Sequence, residues 1–169
     1  KDEKKKIDKK VDSKDKAAIK EIIINTARKN GIDPDFAVAI ATIESGLNPR
    51  SNEVAPRPNS KYKGLFQLSI NPRGDFVTKY KLDVDKVYDP VENTRVFAAS
   101  MKNNLRALRN KGLLKSSASK IDPKEAGILY LTHQQGERGV SIQVKAANKN
   151  ASYTSLPKDI QLNIHANVF

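Results

Sequence analysis

Apolar residues first recur at a regular spacing after Ser13. The set at this spacing comprises Ile19, Ile22, Ile23, Thr26 and Ala27. Intervals of three and four residues place these side chains on one face of a helix. Gly31 follows this face, and glycine readily adopts the left-handed conformation that ends many helices. We therefore predict a first helix between Ser13 and Gly31.

The segment before this helix is almost entirely charged. Residues 1–16, KDEKKKIDKKVDSKDK, contain Ile7 and Val11 as their only apolar side chains. So few apolar groups cannot offset the entropy that a chain loses when it becomes ordered. We predict that residues 1–16 form a charged tail or linker and that residues 17–169 form one domain. The last few residues of the tail have a second interpretation, as the first turn of the helix that follows.

An aspartate followed by a proline marks the predicted start of three helices. The three pairs are Asp33-Pro34, Asp89-Pro90 and Asp122-Pro123. Aspartate accepts hydrogen bonds from the free N–H groups of a first turn, and proline fits the first helical position. Glu92 and Glu125 follow two of these caps by three residues, which is the spacing of a capping box.

The first two of these helices differ in their faces. From Phe36 to Ile43 almost every side chain is apolar, which predicts a central helix that is buried on all sides. The helix after Pro90 has a single apolar stripe, formed by Phe97, Met101, Leu105 and Leu108. Basic residues occupy its other face as far as Gly112, so this helix is expected to pack one side against a core.

Weaker patterns complete the predicted fold. We predict a helix over 126–133, two further short helices over 137–150 and 156–169, and short strands near 65–70 and 76–80. The predicted fold class is therefore mainly α. It consists of a single helical domain around a central buried helix, with at most a small strand region.

Composition limits the possible partners and cofactors. A chain of 169 residues with 38% apolar residues is long enough for one such domain. No apolar run approaches the roughly 18 residues of a membrane-spanning helix, so we predict no membrane span. The net charge of +12 favours an anionic partner, such as nucleic acid, a cell-wall polymer or a membrane surface. Because the chain has no cysteine and only two histidines, we expect no metal site and no cofactor.

Glu44 is an acidic residue that the apolar pattern does not explain. It lies in the last turn of the central helix, one turn after Ile40 and just before Gly46. Apolar surroundings and the negative end of the helix dipole both favour a protonated carboxyl group. A general acid requires this form. The alternative is a surface glutamate that pairs with Arg50 or another cation.

The segment KGLFQLS, residues 63–69, contains an isolated amide, Gln67. Alone, it is more typical of a short buried strand with a hydrogen-bonded glutamine than of a functional motif. Together, however, Glu44-Ser45-Gly46 and Gly64-Leu65-Phe66-Gln67 resemble the first two motifs of the soluble lytic transglycosylases and goose-type lysozymes. The segment Asp89-Pro90-Val91-Glu92-Asn93 resembles the Asp-Pro-x-x-Asn helix start of the same family. The shared order of these motifs, over roughly residues 17–169, is more specific than any single motif.

The third motif of the family, Ala-Tyr-Asn-Ala-Gly, is matched only in part by residues 132–136, THQQG. His133 replaces its tyrosine and Gln134 replaces its asparagine, and both retain hydrogen-bonding groups. This form is similar to variants in phage-encoded members. Capping of a helix end is the alternative role for both residues. Asn163 replaces a late tyrosine of the family, and Tyr130 is either its substitute in the cleft or a core aromatic.

The resemblance implies a lysozyme-like fold and cleavage of the bond between N-acetylmuramic acid and N-acetylglucosamine in peptidoglycan. Glu44 would act first as the acid and then as the base. In a lytic transglycosylase the muramoyl 6-hydroxyl attacks C1 in place of water and leaves a 1,6-anhydro end. The implied substrate-binding residues are Ser45, Phe66, Gln67, Tyr130, His133 and Gln134.

The resemblance also implies a partner and a place of action. The partner is the glycan strand of peptidoglycan, and phage tail or cell-envelope assembly proteins are further candidates. The place of action is the bacterial cell wall, reached from the periplasm, from outside the cell or from a virion.

Two other functions stay open at the level of sequence. A lysozyme that hydrolyses its substrate with two carboxylates needs a second acid, for which Glu53 and Asp75 are the candidates, although neither lies in a motif. The other possibility is a binding domain without activity. Scattered basic residues, few aromatics and the lack of a known reading motif argue against nucleic acid. The presence of Glu44 and Gln67 argues against an inactive wall-binding domain.

Overall fold

The structure is a computed structural model that describes residues 13–148. The helices are α1 (Ser13–Lys29), α2 (Pro34–Ser45), α3 (Asp75–Thr78), α4 (Pro90–Asn110) and α5 (Pro123–Asn148). The strands are β1 (Tyr62–Lys63) and β2 (Leu68–Ser69), and a short 3₁₀ turn covers Val84–Lys86. The prediction of a mainly α fold with a small strand region is confirmed.

Helix α1 begins at Ser13, so residues 13–16 form its first turn rather than the end of the predicted tail. It ends at Lys29, two residues before Gly31, whose φ of +74° is left-handed as predicted. The remainder of the predicted tail, residues 1–12, lies outside the described residues. So do the predicted helix over 156–169 and Asn163. The division of the chain into a tail and one domain stays a prediction.

Helix α2 is the predicted central helix. Its buried residues are Phe36, Ala37, Ala39, Ile40 and Ala41, and it packs against α1, which also contacts α4. Phe97 of α4 stacks on Phe66 with ring centroids 3.9 Å apart and lies 6.2 Å from the Phe36 ring. This aromatic stack joins α2, the β1–β2 turn and α4 in one core.

The three predicted aspartate caps are confirmed. Each aspartate side chain accepts the backbone N–H two residues later, at Asp35, Val91 and Lys124. Asp33 does more than cap α2, because its second carboxylate oxygen accepts the Ile121 N–H at 2.8 Å. The start of α2 is thereby held against the segment that precedes α5.

The two predicted capping boxes are wrong. The N–H groups of Asp89 and Asp122 already donate to other acceptors in the preceding loops, so Glu92 and Glu125 have no cap N–H to accept. Their carboxylates instead accept N–H groups of those loops, from Asp83, Lys115 and Ser116. Both glutamates therefore fix a loop to the helix that follows it.

The strand region is smaller than predicted and lies elsewhere in part. β1 and β2 pair in an antiparallel hairpin, with Tyr62 opposite Ser69, so the predicted strand over 65–70 holds only at its end. The predicted strand over 76–80 is wrong. The Thr78 N–H and hydroxyl both donate to the Gly74 carbonyl, and these bonds form the single turn of α3.

Helix α5 covers the predicted helices over 126–133 and 137–150 as far as Asn148. Gly136, with φ +77° and ψ 155°, interrupts its helical backbone between them. The helix packs against α4 and brings its middle turns towards the end of α2.

Candidate active site

Glu44 lies half-buried in the last turn of α2, where it meets α5. The Tyr130 hydroxyl donates a hydrogen bond of 2.8 Å to Glu44 Oε1. Gln134 Nε2, one turn later in α5, donates to the Tyr130 oxygen at 2.9 Å. The expected alternative partner, Arg50, pairs instead with Glu53 through its Nε and Nη2. A chain of two hydrogen bonds thus connects the exposed Gln134 to the candidate acid.

Gln67 lies in a turn rather than in the buried strand that was its alternative. Residues 64–67 join β1 to β2, and Gln67 has a positive φ of 52°. Its Nε2 donates to the Gly64 carbonyl at 2.9 Å, and its Oε1 accepts from Asn52 Nδ2 at 2.7 Å. Asn52 is 1% exposed. Both ends of the Gln67 amide are therefore fixed by the protein.

Asn93, in the first turn of α4, fixes the Gly64–Gln67 turn through side-chain hydrogen bonds. Its Oδ1 accepts the Phe66 N–H at 2.9 Å, and its Nδ2 donates to the carbonyls of Val87 and Lys63 at 2.8 and 3.3 Å. The side chain is 1% exposed, and loss of any of these bonds would leave a buried polar group unpaired. The Asp-Pro-x-x-Asn segment therefore positions the Gly64–Gln67 turn.

His133 packs against the same turn from α5. Its Nε2 lies 2.7 Å from the Phe66 carbonyl, and its ring meets Phe97 edge-on at 5.2 Å between centroids. Burial lowers the pKa of His133, although the Glu44 charge and the Phe66 carbonyl act in the opposite direction. The neutral ring then donates from Nε2–H to the carbonyl. His133 is thus bonded to the turn, not to the end of its own helix.

These residues surround an open cavity of about 270 Å³. Its lining consists of Glu44, Arg57, Tyr62, Gln67, His133 and Gln134. Among the described residues, Glu44 is the only carboxylate in this lining. Tyr62 is 56% exposed at the rim. The arrangement can present one proton donor to a bond held between an aromatic ring and two amide groups.

The chain matches the family described as "Transglycosylase SLT domain" over residues 21–153. It belongs to this family. Membership gives the domain the general function of its family, which is transglycosylase-type degradation of peptidoglycan. No curated protein and no solved structure matches the chain. The predicted phage origin and assembly partners stay predictions.

The predicted site residues lie in different environments within the SLT domain. Glu44, Gln67, His133 and Gln134 line the cleft. The Ser45 hydroxyl donates back to the Ala41 carbonyl within α2 and lies outside this lining.

Two predicted substrate-binding residues are buried in the core. Phe66 is 0% exposed beneath Phe97, because the apolar turn closes the core, so its ring cannot touch a sugar in the cleft. Tyr130 is 3% exposed and contacts Glu44 instead of the open cleft. Neither alternative given for Tyr130 is complete on its own, because the residue is a core aromatic whose hydroxyl reaches the candidate acid.

Sequence reasoning missed three residues of the site: Asn52, Arg57 and Tyr62. All three lie in the polar segment between the first two motifs, which has neither a motif nor a periodic pattern. A signal existed only for Tyr62, an aromatic residue two positions before the second motif.

Asp75, one of the two candidates for a second carboxylate, does not line the cleft. Asp75 lines a neighbouring cavity that shares only His133 with the cleft. Residues 13–148 contain no group of three or more histidine and acidic side chains suited to a metal ion. None of the helices in this range is both long and apolar enough to cross a membrane.

Replacement of Tyr130 by phenylalanine is expected to lower kcat roughly tenfold, because a small misplacement of a catalytic group is costly. Burial and the Glu44 charge raise the pKa of Tyr130, so its hydroxyl stays protonated and donates to Glu44. KM should change little, since the ring is buried. Steady-state kinetics on soluble glycan strands test this result, with Tyr80→Phe, two residues after the end of α3, as the matched control. A larger effect on KM than on kcat would contradict the positioning role.

Acid should destabilise the SLT domain through His133. The fold disfavours the charged ring, whereas the unfolded chain binds a proton near the ordinary pKa of 6.5. The free energy of unfolding should therefore fall as the pH drops below 6.5, until the lowered pKa of the folded state is passed. The free energy of unfolding of the His133→Gln variant should fall less over the same pH range. Thermal midpoints from about pH 7.5 to about pH 5 measure this difference, and parallel curves would disprove it.

Proposed function

We propose that this SLT domain cleaves the bond between N-acetylmuramic acid and N-acetylglucosamine by non-hydrolytic transglycosylation, with Glu44 as its single acid and base. The observation that carries the proposal is the cleft in which Glu44 is the only carboxylate among the described lining residues. The site of action is the bacterial cell wall, where the substrate of the family occurs.

The reaction uses one carboxyl group twice. The Glu44 carboxyl first gives its proton to the glycosidic oxygen while the bond from that oxygen to C1 of the muramoyl residue breaks. The resulting carboxylate then takes the proton of the muramoyl 6-hydroxyl as its oxygen bonds to C1. The products are a free 4-hydroxyl on one sugar and a 1,6-anhydro ring on the other. Glu44 ends protonated, and no water is consumed.

Hydrolysis with two carboxylates requires a second acid about 5–9.5 Å from the first. Glu53, one candidate, is bound by Arg50 through two hydrogen bonds. The other candidate, Asp75, lies in the neighbouring cavity. The pairing of Glu53 with Arg50 and the separate cavity of Asp75 favour intramolecular attack by the 6-hydroxyl over attack by an activated water.

The other cleft residues suit binding and orientation of the glycan. Tyr62 offers an exposed aromatic face on which a sugar ring can pack. Gln67 and Gln134 offer amide groups at the edges of the cavity. Arg57, exposed at the rim, suits a carboxylate of the peptide that the muramoyl residue carries.

The proposal is tested first on dye-labelled purified sacculi. We expect the wild-type domain to release soluble labelled fragments at a rate that is proportional to its concentration. A domain that sediments with the sacculi and releases nothing would instead be an inactive wall-binding protein, and this result would reject the proposed reaction.

A further inference from the structure

A second cavity lies between α4 and the segment that leads to α5. It has a volume of about 370 Å³ and is lined by Lys102, Leu105, Arg106, Arg109, Asn110 and Ala118. We call this cavity the basic groove. Three of its six lining residues are cationic and none is acidic, so its electrostatic potential is positive.

Among the residues that the structure describes, the cations of the basic groove have no acidic partner. Ion pairs join Arg50 to Glu53, Arg95 to Glu92 and Lys111 to Glu137, and none of these pairs involves the groove. Arg106 follows Lys102 by four residues and precedes Arg109 by three, and like charges at these spacings destabilise a helix. The three cations therefore lower the stability of the helix slightly and are available to an external anion.

The basic groove faces away from the catalytic cleft. On α4, Phe97 contacts His133, and Asn104 Nδ2 donates to Thr132 Oγ1 at 3.0 Å, so this face points towards α5. At 100° per residue, Lys102, Arg106 and Arg109 project from the opposite side of the helix. A ligand in the groove would leave access to Glu44 open.

We propose that the basic groove binds a linear phosphodiester polymer of the cell wall while the cleft acts on a glycan strand. This inference rests on the proposed function, which places the domain at the wall. The three cations extend along about 10 Å of helix axis, which suits an extended polyanion better than a single phosphate. The groove lining contains no aromatic side chain, whereas single-stranded nucleic acid is held largely by base stacking on aromatics.

The test compares two triple variants with the same change in net charge. The groove variant carries Lys102→Gln, Arg106→Gln and Arg109→Gln. The control variant carries Lys20→Gln, Arg73→Gln and Lys86→Gln, which are exposed cations on other parts of the surface. Calorimetric titration with purified poly(glycerol phosphate), free of peptidoglycan, measures affinity at several salt concentrations.

The groove variant should bind the polymer roughly tenfold more weakly or worse. The slope of the logarithm of its binding constant against the logarithm of the salt concentration should be smaller in magnitude by about two to three units. The control variant should lose less than about threefold, since only long-range attraction changes. Equal losses in both variants, or no binding by the wild type, would overturn the proposal. Tighter binding of a single-stranded DNA oligomer, lost in the groove variant, would overturn it in favour of nucleic acid.

Activity separates this inference from the proposed reaction. On sacculi stripped of phosphate polymers, the groove variant should release fragments at the wild-type rate. A wild-type domain that binds the polymer through the groove but cleaves no glycan would support the groove and reject the reaction. A groove variant that is inactive on stripped sacculi would show that these residues serve the fold or the cleft, and would overturn the inference.

Discussion

Glu44→Gln is expected to reduce fragment release from sacculi by roughly a hundredfold or more, because the amide cannot deliver the catalytic proton. The fold should be unaffected. The glutamine retains an oxygen at the position where Tyr130 donates its hydrogen bond, and the residue is half-buried at a helix end. Fragment release, circular dichroism and the thermal midpoint together separate a chemical loss from unfolding.

Glu53→Gln is the matched control, since it makes the same change at the other glutamate near the cleft motifs. It removes an exposed ion pair with Arg50, which is worth about 1 kcal/mol or less, and activity should stay near that of the wild type. Full activity of Glu44→Gln would make Glu44 a structural residue. Equal losses in both variants would indicate a two-carboxylate hydrolase.

Gly64→Ala is expected to destabilise the domain by about 3 kcal/mol or more, through strain and overpacking together. A Cβ at this position would lie 2.5 Å from Asn93 Nδ2 and 2.8 Å from the Val87 carbonyl oxygen. Asn93 cannot move away without losing its three buried hydrogen bonds. The φ of +76° adds backbone strain. The folded fraction should also lose activity, because Gln67 is bonded to the Gly64 carbonyl.

Gly112→Ala isolates the contribution of the backbone. Gly112 has a similar φ of +70°, but nothing lies within 4 Å of the position that a Cβ would take. The Gly112→Ala variant should lose about 1–2 kcal/mol of the free energy of unfolding. Each kcal/mol lost lowers the thermal midpoint by about 2–4 °C in a domain of this size. Chemical denaturation of both variants measures the difference. Equal losses would show that the close approach of Asn93 carries no energetic weight.

Local signals were sufficient for the starts of α2, α4 and α5 and for the burial of α2. Asp33, Asp89 and Asp122 act on N–H groups two residues away, so their spacing from a proline predicted three helix starts. The apolar run of α2 likewise predicted a buried helix with Glu44 in its last turn. Each of these features depends on neighbours within one or two turns, and such neighbours are visible in the sequence.

Contacts between distant segments were not predictable in the same way. Gly64–Gln67 forms a turn because Asn93, more than twenty residues later, binds its backbone. Tyr130 reaches Glu44 across 86 positions of sequence, and its short-range pattern is that of a core residue. The resemblance to a family indicated that some of these residues belong together, but not that Phe66 is buried or that Tyr62 forms the rim.

The masses of the fragments released from purified sacculi test the central claim most directly. A transglycosylase adds no water, so each muramoyl end should be lighter by about 18 Da than the end that hydrolysis leaves, and should resist borohydride reduction. A parallel digest with a hydrolytic muramidase gives the reference masses. The account predicts 1,6-anhydro ends as the main product. Reducing ends as the main product would contradict it and would direct the search for a second carboxylate to Glu53 and Asp75.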